Sequence, residues 1–151
     1  RVSGGSRGVD QLAHFVAMKS KKPTVMVLPS GLHQLYPPNL NELVKLGSAD
    51  HVCLLSEFEK DQKIHKSHFY FRNRLIAALG HLTVVTQASL KSGSLLTIHH
   101  CLENGRPVGV VPAHPEMLGF DGSLKLLKEG AFPVQNFQDL LDFWSAEFHS
   151  K

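Results

Sequence analysis

Short apolar runs alternate with longer amphipathic stretches along most of the chain. Four of these runs are almost continuously apolar and cover residues 24–28, 51–55, 82–86 and 107–111. An apolar run without alternation is typical of a strand that is covered on both faces, as in a parallel sheet. The sequence therefore predicts four buried parallel strands.

The stretches between the runs carry apolar residues at helical spacing. They predict helices over residues 10–19, 40–46, 71–79, 95–102, 123–129 and 139–148. In the third helix Phe71, Leu75 and Leu79 recur every four residues, which predicts that Phe71 lies in the core. The alternation favours right-handed crossovers and hence an α/β fold, with a mostly parallel, doubly wound sheet and helices on both faces.

The length of 151 residues fits one domain over residues 1–151, and no internal repeat or second-domain boundary is evident. The chain starts without Met, and residues 1–5 resemble the end of a strand that enters a glycine turn. We therefore expect an N-terminally incomplete domain whose upstream strand and helix are missing. No apolar run approaches the roughly 20 residues of a membrane helix, so no membrane partner is expected.

Composition narrows the class further. With 42% apolar and 19% charged residues, the chain is neither disordered nor fibrous. Cys53 and Cys101 both lie in apolar segments without a CxxC spacing, which predicts two buried, reduced thiols in a cytoplasmic protein. No metal site is expected, since the adjacent His99 and His100 point to two sides of a helix. The net charge of +3 does not identify a polyanionic partner by itself.

A glycine turn (residues 3–8) follows the first strand end and opens a helix. Its candidate phosphate-binding residues are Ser3, Gly4, Gly5, Arg7 and Gly8. Glycines let the backbone approach a ligand, and a helix N-terminus adds partial positive charge. The spacing is not GxGxxG, and a tight turn with Asp10 as the cap of the following helix is the other interpretation.

A serine turn (residues 91–94) lies between the third predicted strand and the next helix. It consists of Lys91, Ser92, Gly93 and Ser94, so hydroxyls, unpaired N–H groups and a lysine meet at one helix start. The turn lacks the spacing of a Walker loop. An anion site and an ordinary serine N-cap both fit it.

A basic segment (residues 60–74) combines cations with aromatic rings. It contains Lys60, Lys63, Lys66, Arg72 and Arg74, with Phe69, Tyr70 and Phe71. Cations beside rings suit single-stranded nucleic acid, because charge follows the backbone and bases stack on rings. The other interpretation is a solvated loop with one or two rings in the core. Phe69 lies two residues before Phe71 and faces elsewhere, so Phe69 is the better stacking candidate.

Catalytic signatures are missing from the sequence. There is no GxSxG elbow, HExxH motif or paired carboxylate, and we expect no enzyme activity. Tyr36-Pro37 is interpreted as a rigid turn, with Pro37 fixing the path of the chain. Glu57 is expected to orient Arg72 or Arg74 rather than to act as a catalytic acid.

Read in order, these motifs resemble the DNA-processing protein A family (DprA, also called Smf). The matching pieces are Ser3-Gly4-Gly5, Gly8-Val9-Asp10 with Ala13-His14, Gly31-Leu32, Tyr36-Pro37, Leu55-Ser56-Glu57, Phe69, Arg72-Asn73-Arg74, Lys91-Ser92-Gly93-Ser94, Gly105-Arg106-Pro107 and Asp121-Gly122-Ser123. Each motif is weak alone, but the ordered set covers almost the whole chain. His99 departs from the family pattern, which has an arginine there, and the family's first strand with its Gly-Thr/Ser-Arg loop would precede Arg1.

The resemblance implies an extended Rossmann-like domain that binds single-stranded DNA without a cofactor. It further implies a role in natural transformation and recombination, in which the protein protects incoming strands, helps to load the RecA recombinase and forms a homodimer. By position, Lys66 matches the family's phosphate-contacting lysine and Phe69 its base-stacking ring. The glycine turn and residues 92–94 match the phosphate pocket, with Arg72, Asn73 and Arg74 in support.

Two enzyme classes remain as alternatives. The first is a nucleotide-binding hydrolase of the lysine-decarboxylase-like (phosphoribohydrolase) group, but its Pro-Gly-Gly-x-Gly-Thr loop does not occur here. The second is a dinucleotide-dependent oxidoreductase, whose GxGxxG fingerprint and downstream acid are also missing.

Overall fold

The computed structural model describes residues 1–47 and 50–148. The strands are β1 (Val2–Ser3), β2 (Thr24–Val27), β3 (Val52–Leu55), β4 (Thr83–Val85), β5 (Val108–Val110) and β6 (Phe132–Pro133). The helices are α1 (Val9–Lys19), α2 (Leu40–Lys45), α3 (Lys66–Leu79), α4 (Ser94–Glu103), α5 (Asp121–Lys128) and α6 (Phe137–Phe148). The four predicted strands, the strand end before the glycine turn and the six predicted helices are confirmed.

The first of two compact units ends at Gly80. Its three strands are parallel in the order β1-β2-β3, with Val25 of β2 opposite Val2 on one side and Cys53 on the other. Its buried cluster consists of Met18, Met26, Leu28 and Leu40, with Leu35, Leu43, Val44, Val52 and Leu54 packed around it. This core lies beneath β2 and the chain that continues it, and so supports the loops at the carboxyl ends of β1 and β2.

The second unit begins at His81 and contains a separate three-stranded parallel sheet. The strand order is β4-β5-β6, with Gly109 of β5 opposite Val84 and Phe132. A Cβ atom at Gly109 would lie 2.6 Å from the ring of Phe132, so glycine lets that ring pack on β5. The strand β6 was not predicted, because its two residues, Phe132–Pro133, are too short to form an apolar run.

The prediction that Phe71 belongs to the core is wrong. Phe71 is 58% exposed, because α3 packs on β1 and β2 with a face that buries Arg72, Asn73 and Ala77. The four-residue spacing correctly indicated a helix. It indicated the wrong inner face, since the buried face carries a cation and an amide.

The prediction of two buried thiols is half right. Cys101 is buried, and its thiol lies 3.0 Å from the hydroxyl of Thr83, but Cys53 on β3 is exposed. Within the described residues no group of three or more His, Cys, Asp or Glu side chains is arranged to hold a metal ion. Among the described helices, none combines the length and apolarity that crossing a membrane requires.

Candidate functional site

The glycine turn carries the chain from β1 into α1 through two left-handed residues. Gly5 has φ 66° and Gly8 has φ 95°, conformations that side chains rarely allow. Gly8 is the N-cap of α1 and supplies no side chain to cap it. Asp10 instead accepts a hydrogen bond from the backbone N–H of Ser6 at 3.1 Å, which closes the turn. Asp10 therefore braces the turn rather than serving as the N-cap.

A buried guanidinium lies beneath this turn. Arg72 is 4% exposed, and its Nη1 donates to the carbonyl of Gly4 at 2.8 Å and to that of Val27 at 2.5 Å. A Cβ atom at Gly4 would lie 2.6 Å from Cζ of Arg72, so only glycine leaves space for the guanidinium. Its Nε donates to the side-chain oxygen of Asn73 at 3.1 Å, so these neighbouring residues of α3 are bonded to each other.

Among the described residues, no carboxylate forms an ion pair with Arg72. Burial lowers the pKa of Arg72 to about 10, while the more distant charge of Asp10 opposes that shift. The guanidinium thus stays cationic at neutral pH. A desolvated cation under a turn of backbone amides favours an anion at the turn.

A buried histidine braces the start of the turn. His14 has no exposed surface, and its Nε2 lies 2.7 Å from the hydroxyl of Ser3 while its Nδ1 lies 2.6 Å from the hydroxyl of Thr24. Burial lowers the pKa of His14 to about 4, so the ring is neutral at pH 7. A neutral imidazole has one donor and one acceptor, which matches one hydroxyl on each side. These two hydrogen bonds of His14 were not predicted, since neither the spacing nor the types of the three residues indicate them.

Phe69 meets the glycine turn in a pocket of about 300 Å³. The pocket is lined by Gly4, Ser6, Arg7, Tyr36, Pro37 and Phe69. The rings of Tyr36 and Phe69 are nearly perpendicular, at 83°, with their centroids 5.9 Å apart. The guanidinium carbon of Arg72 lies 5.6 Å from the centroid of Phe69. The structure therefore brings together residues from the glycine turn and the basic segment, and adds Tyr36.

Lys66 is exposed at the first position of α3 and does not line the pocket. It precedes Phe69 by three residues, which places both on one side of the helix. The start of α3 is fixed by His68, whose Nδ1 lies 3.0 Å from the carbonyl of Pro29 and whose ring stacks on Phe58. These contacts anchor the helix end that carries Lys66.

The predicted pairing of Glu57 with an arginine of the basic segment is confirmed for Arg74. Its Nη2 donates to both carboxylate oxygens of Glu57, at 2.5 and 2.7 Å. Arg74 is half exposed, so the pair orients the guanidinium at the surface of the first unit.

The serine turn lies in the second unit, and the residues directly before it are held from α5. Leu90 donates its N–H to Asp121 at 3.2 Å, while Ala88 donates to the hydroxyl of Ser123 and accepts from its N–H, both at 2.9 Å. A Cβ atom at Gly122 would lie 2.7 Å from the carbonyl oxygen of Ser89. We name this arrangement the α5 clamp (residues 121–123).

Within the serine turn, Gly93 is the N-cap of α4 and Ser94 is its first residue. The hydroxyl of Ser92 accepts a hydrogen bond from the N–H of Ser94 at 3.2 Å. A serine side chain therefore caps one amide at the start of α4, as the second interpretation of this turn expects. Lys91, Gly93 and Ser94 are exposed.

The chain is similar to proteins of one family throughout this architecture. A model of the DNA recombination-mediator protein A family matches residues 2–145. The DNA processing protein DprA of Bacillus subtilis is 36% identical over 141 residues, which are 93% of this chain and 47% of that protein. The DprA of Streptococcus pneumoniae is 36% identical over 140 residues, 93% of this chain and 49% of that protein. The chain thus spans about half the length of these relatives.

Solved structures agree with the sequence comparison. The X-ray structure of DprA from Streptococcus pneumoniae has a TM-score of 0.84 and 35% identity, covering 97% of this chain and 50% of that one. A structure of DprA from Helicobacter pylori, which concerns that protein's binding of single-stranded DNA, has a TM-score of 0.84 and 33% identity. It covers 98% of this chain and 66% of its own. The α/β, extended Rossmann-like fold is thereby confirmed, and the chain belongs to the DNA recombination-mediator protein A family.

Proposed function

We propose that this chain binds single-stranded DNA without catalysing a reaction, through the glycine turn and the start of α3. The observation that carries this proposal is the pocket that joins Phe69 to Gly4, Ser6 and Arg7 above the buried charge of Arg72. The pocket combines a ring for a base with cations and amides for a phosphate, which are the two features that unpaired DNA requires.

The phosphate would lie at the glycine turn. Arg7 is exposed there, Gly4 lines the pocket, and nothing lies within 4 Å of where a Cβ of Gly8 would stand. Ser3 is bonded to His14, so in this proposal Ser3 holds the shape of the turn rather than the phosphate itself. Lys66 is exposed one helical turn from Phe69 and would contact the next phosphate along the strand.

The serine turn would supply a second phosphate site in the second unit. In this proposal Lys91 and the hydroxyls of Ser92 and Ser94 would contact the phosphate at the first turn of α4. The N-terminus of this ten-residue helix adds partial positive charge, which suits an anion.

The broader role in this proposal follows from the family. It comprises protection of incoming single strands during natural transformation, loading of the RecA recombinase and action as a homodimer. These parts concern the whole protein, of which the chain spans about half by comparison with its relatives.

Equilibrium binding to labelled oligothymidylate, followed by fluorescence anisotropy, tests the proposal. Phe69→Ala should weaken binding by about 5- to 150-fold, because base stacking contributes about 1–3 kcal/mol. Phe71→Ala is the matched control: Phe71 is an exposed ring on the same helix that does not line the pocket. The wild-type protein should bind the single strand far more tightly than a duplex of equal length.

Equal affinity for single strand and duplex would contradict the proposal. So would equal affinities of Phe69→Ala and Phe71→Ala for oligothymidylate while both variants remain folded by circular dichroism.

A further inference from the structure

Tyr36 lines the pocket beside Phe69 but belongs to neither the glycine turn nor the basic segment. It lies in the segment between β2 and α2 and is 41% exposed. Phe69 is half-buried, so both rings keep some surface open to solvent. The ring of Tyr36 contacts that of Phe69 at a nearly perpendicular angle. A partly exposed aromatic side chain beside a second ring can present its π-face or its edge to a ligand.

We infer that Tyr36 and Phe69 together form a slot for one unpaired nucleobase, in which Tyr36 is a second base-contacting ring. The inference rests on the proposed function and names a further residue of that site. Two rings at 83° form a corner in which a flat base can stack on one ring and meet the other edge-on.

The dimensions of the pocket favour a single nucleotide. Its volume of about 300 Å³ lies at the lower end of small-ligand pockets. Bases inside a duplex are covered on both faces, so they cannot enter such a pocket without leaving the stack. The remaining lining is suited to the sugar-phosphate that accompanies the base, since Arg7 supplies a cation and Ser6 a hydroxyl.

Residues shortly after Tyr36 contact the glycine turn. Asn39 donates to the side chain of Gln11 at 2.8 Å, and Gln11 donates to the carbonyl of Gly5 at 3.0 Å. Leu40 has no exposed surface, and its Cδ atoms lie 3.2 Å from where a Cβ of Gly5 would stand. The segment that carries Tyr36 is therefore tied to the turn, so the slot exists before DNA binds and little ordering is needed.

The test compares two probes of equal length and charge. One is oligothymidylate, and the other is the same sugar-phosphate strand made entirely of abasic residues. Tyr36→Leu, which keeps apolar bulk without a ring, should bind oligothymidylate at least about fivefold more weakly than wild type. It should bind the abasic strand as wild type does, and Tyr36→Phe should retain most of the affinity for oligothymidylate. Phe71→Ala is the control, and thermal unfolding confirms that each variant is folded.

The outcomes separate this inference from the proposed function. If wild type binds oligothymidylate no better than duplex, the proposed function fails. If wild type prefers the single strand and Phe69→Ala weakens it, but Tyr36→Leu binds oligothymidylate like wild type, the proposed function stands and the slot is wrong. Equal losses for Tyr36→Leu on both probes also overturn the slot, because Tyr36 would then act on the backbone.

Discussion

Two buried polar side chains support the glycine turn, and they do so in opposite charge states. Arg72 keeps its charge because its pKa falls only to about 10, while His14 loses its charge because its pKa falls to about 4. Burial is the first cause of both shifts. The cation is held by the carbonyls of Gly4 and Val27, and the neutral ring by two hydroxyls. Removing either side chain would leave buried partners unsatisfied.

The neutral state of His14 predicts a pH-dependent stability. The ordinary pKa of 6.5 applies to the unfolded chain and about 4 to the folded chain, so the unfolded state takes up the proton first. The contribution is complete above pH 6.5 and is lost between about pH 6.5 and 4, at up to about 1.4 kcal/mol per pH unit. Denaturant unfolding across this range measures the free energy of unfolding.

His14→Gln is the matched variant for this experiment, because glutamine keeps one donor and one acceptor but does not titrate. Its free energy of unfolding should change less with pH between 6.5 and 4 than that of wild type. Identical slopes for the two proteins would show that His14 is not the titrating group.

Candidate site residues could be proposed from the sequence only where the side chain is of a type that contacts DNA from the surface, such as a lysine or an aromatic ring. Phe69 was proposed from its place among cations and rings, Lys66 was singled out by the family resemblance, and both stay predictions. The pairing of Glu57 with an arginine was predicted from their relative placement and is confirmed for Arg74. Arg72 and His14 could not be given their bracing roles, because a buried cation or imidazole has no signature in composition or spacing.

At the scale of elements, parallel pairing explains why separate loops meet at one site. The chain after β1 forms the glycine turn and the chain after β2 leads to Tyr36, and parallel neighbours end at the same edge of a sheet. Apolar runs were sufficient to predict β2, β3, β4 and β5. They were not sufficient for the orientation of α3, whose buried face is polar in part.

The α5 clamp leads to a prediction for the second unit. Ser123→Ala removes the hydroxyl that accepts from the buried N–H of Ala88, and the unsatisfied donor should cost about 1–3 kcal/mol. The segment leading to the serine turn is then less firmly held, so affinity for oligothymidylate should also fall. Thermal or denaturant unfolding and anisotropy measure the two effects.

Ser145→Ala is the control for the clamp, since Ser145 is an exposed serine on α6. Ser123→Thr, which keeps the hydroxyl, should recover part of the affinity if its added methyl group is accommodated. A Ser123→Ala protein that is destabilised but binds DNA like wild type would show that the clamp stabilises the unit without positioning the serine turn.

At the scale of the whole molecule, each compact unit carries one turn suited to an anion. The glycine turn belongs to the unit that ends at Gly80, and the serine turn to the unit that begins at His81. That residues 1–151 act as one domain stays a prediction. A net charge of +3 is small, so the proposed binding would depend on charges at particular positions rather than on general attraction.

The most direct test of this account is the salt dependence of oligothymidylate binding for wild type, Lys66→Ala and Lys22→Ala. Both variants remove one exposed lysine, but Lys22 precedes β2 at the opposite end of the strand from the pocket. If Lys66 contacts a phosphate, the slope of log K against log salt should become shallower by about 0.7 in Lys66→Ala and should not change in Lys22→Ala. Equal slopes for all three proteins, or the same reduction in both variants, would contradict binding at the start of α3.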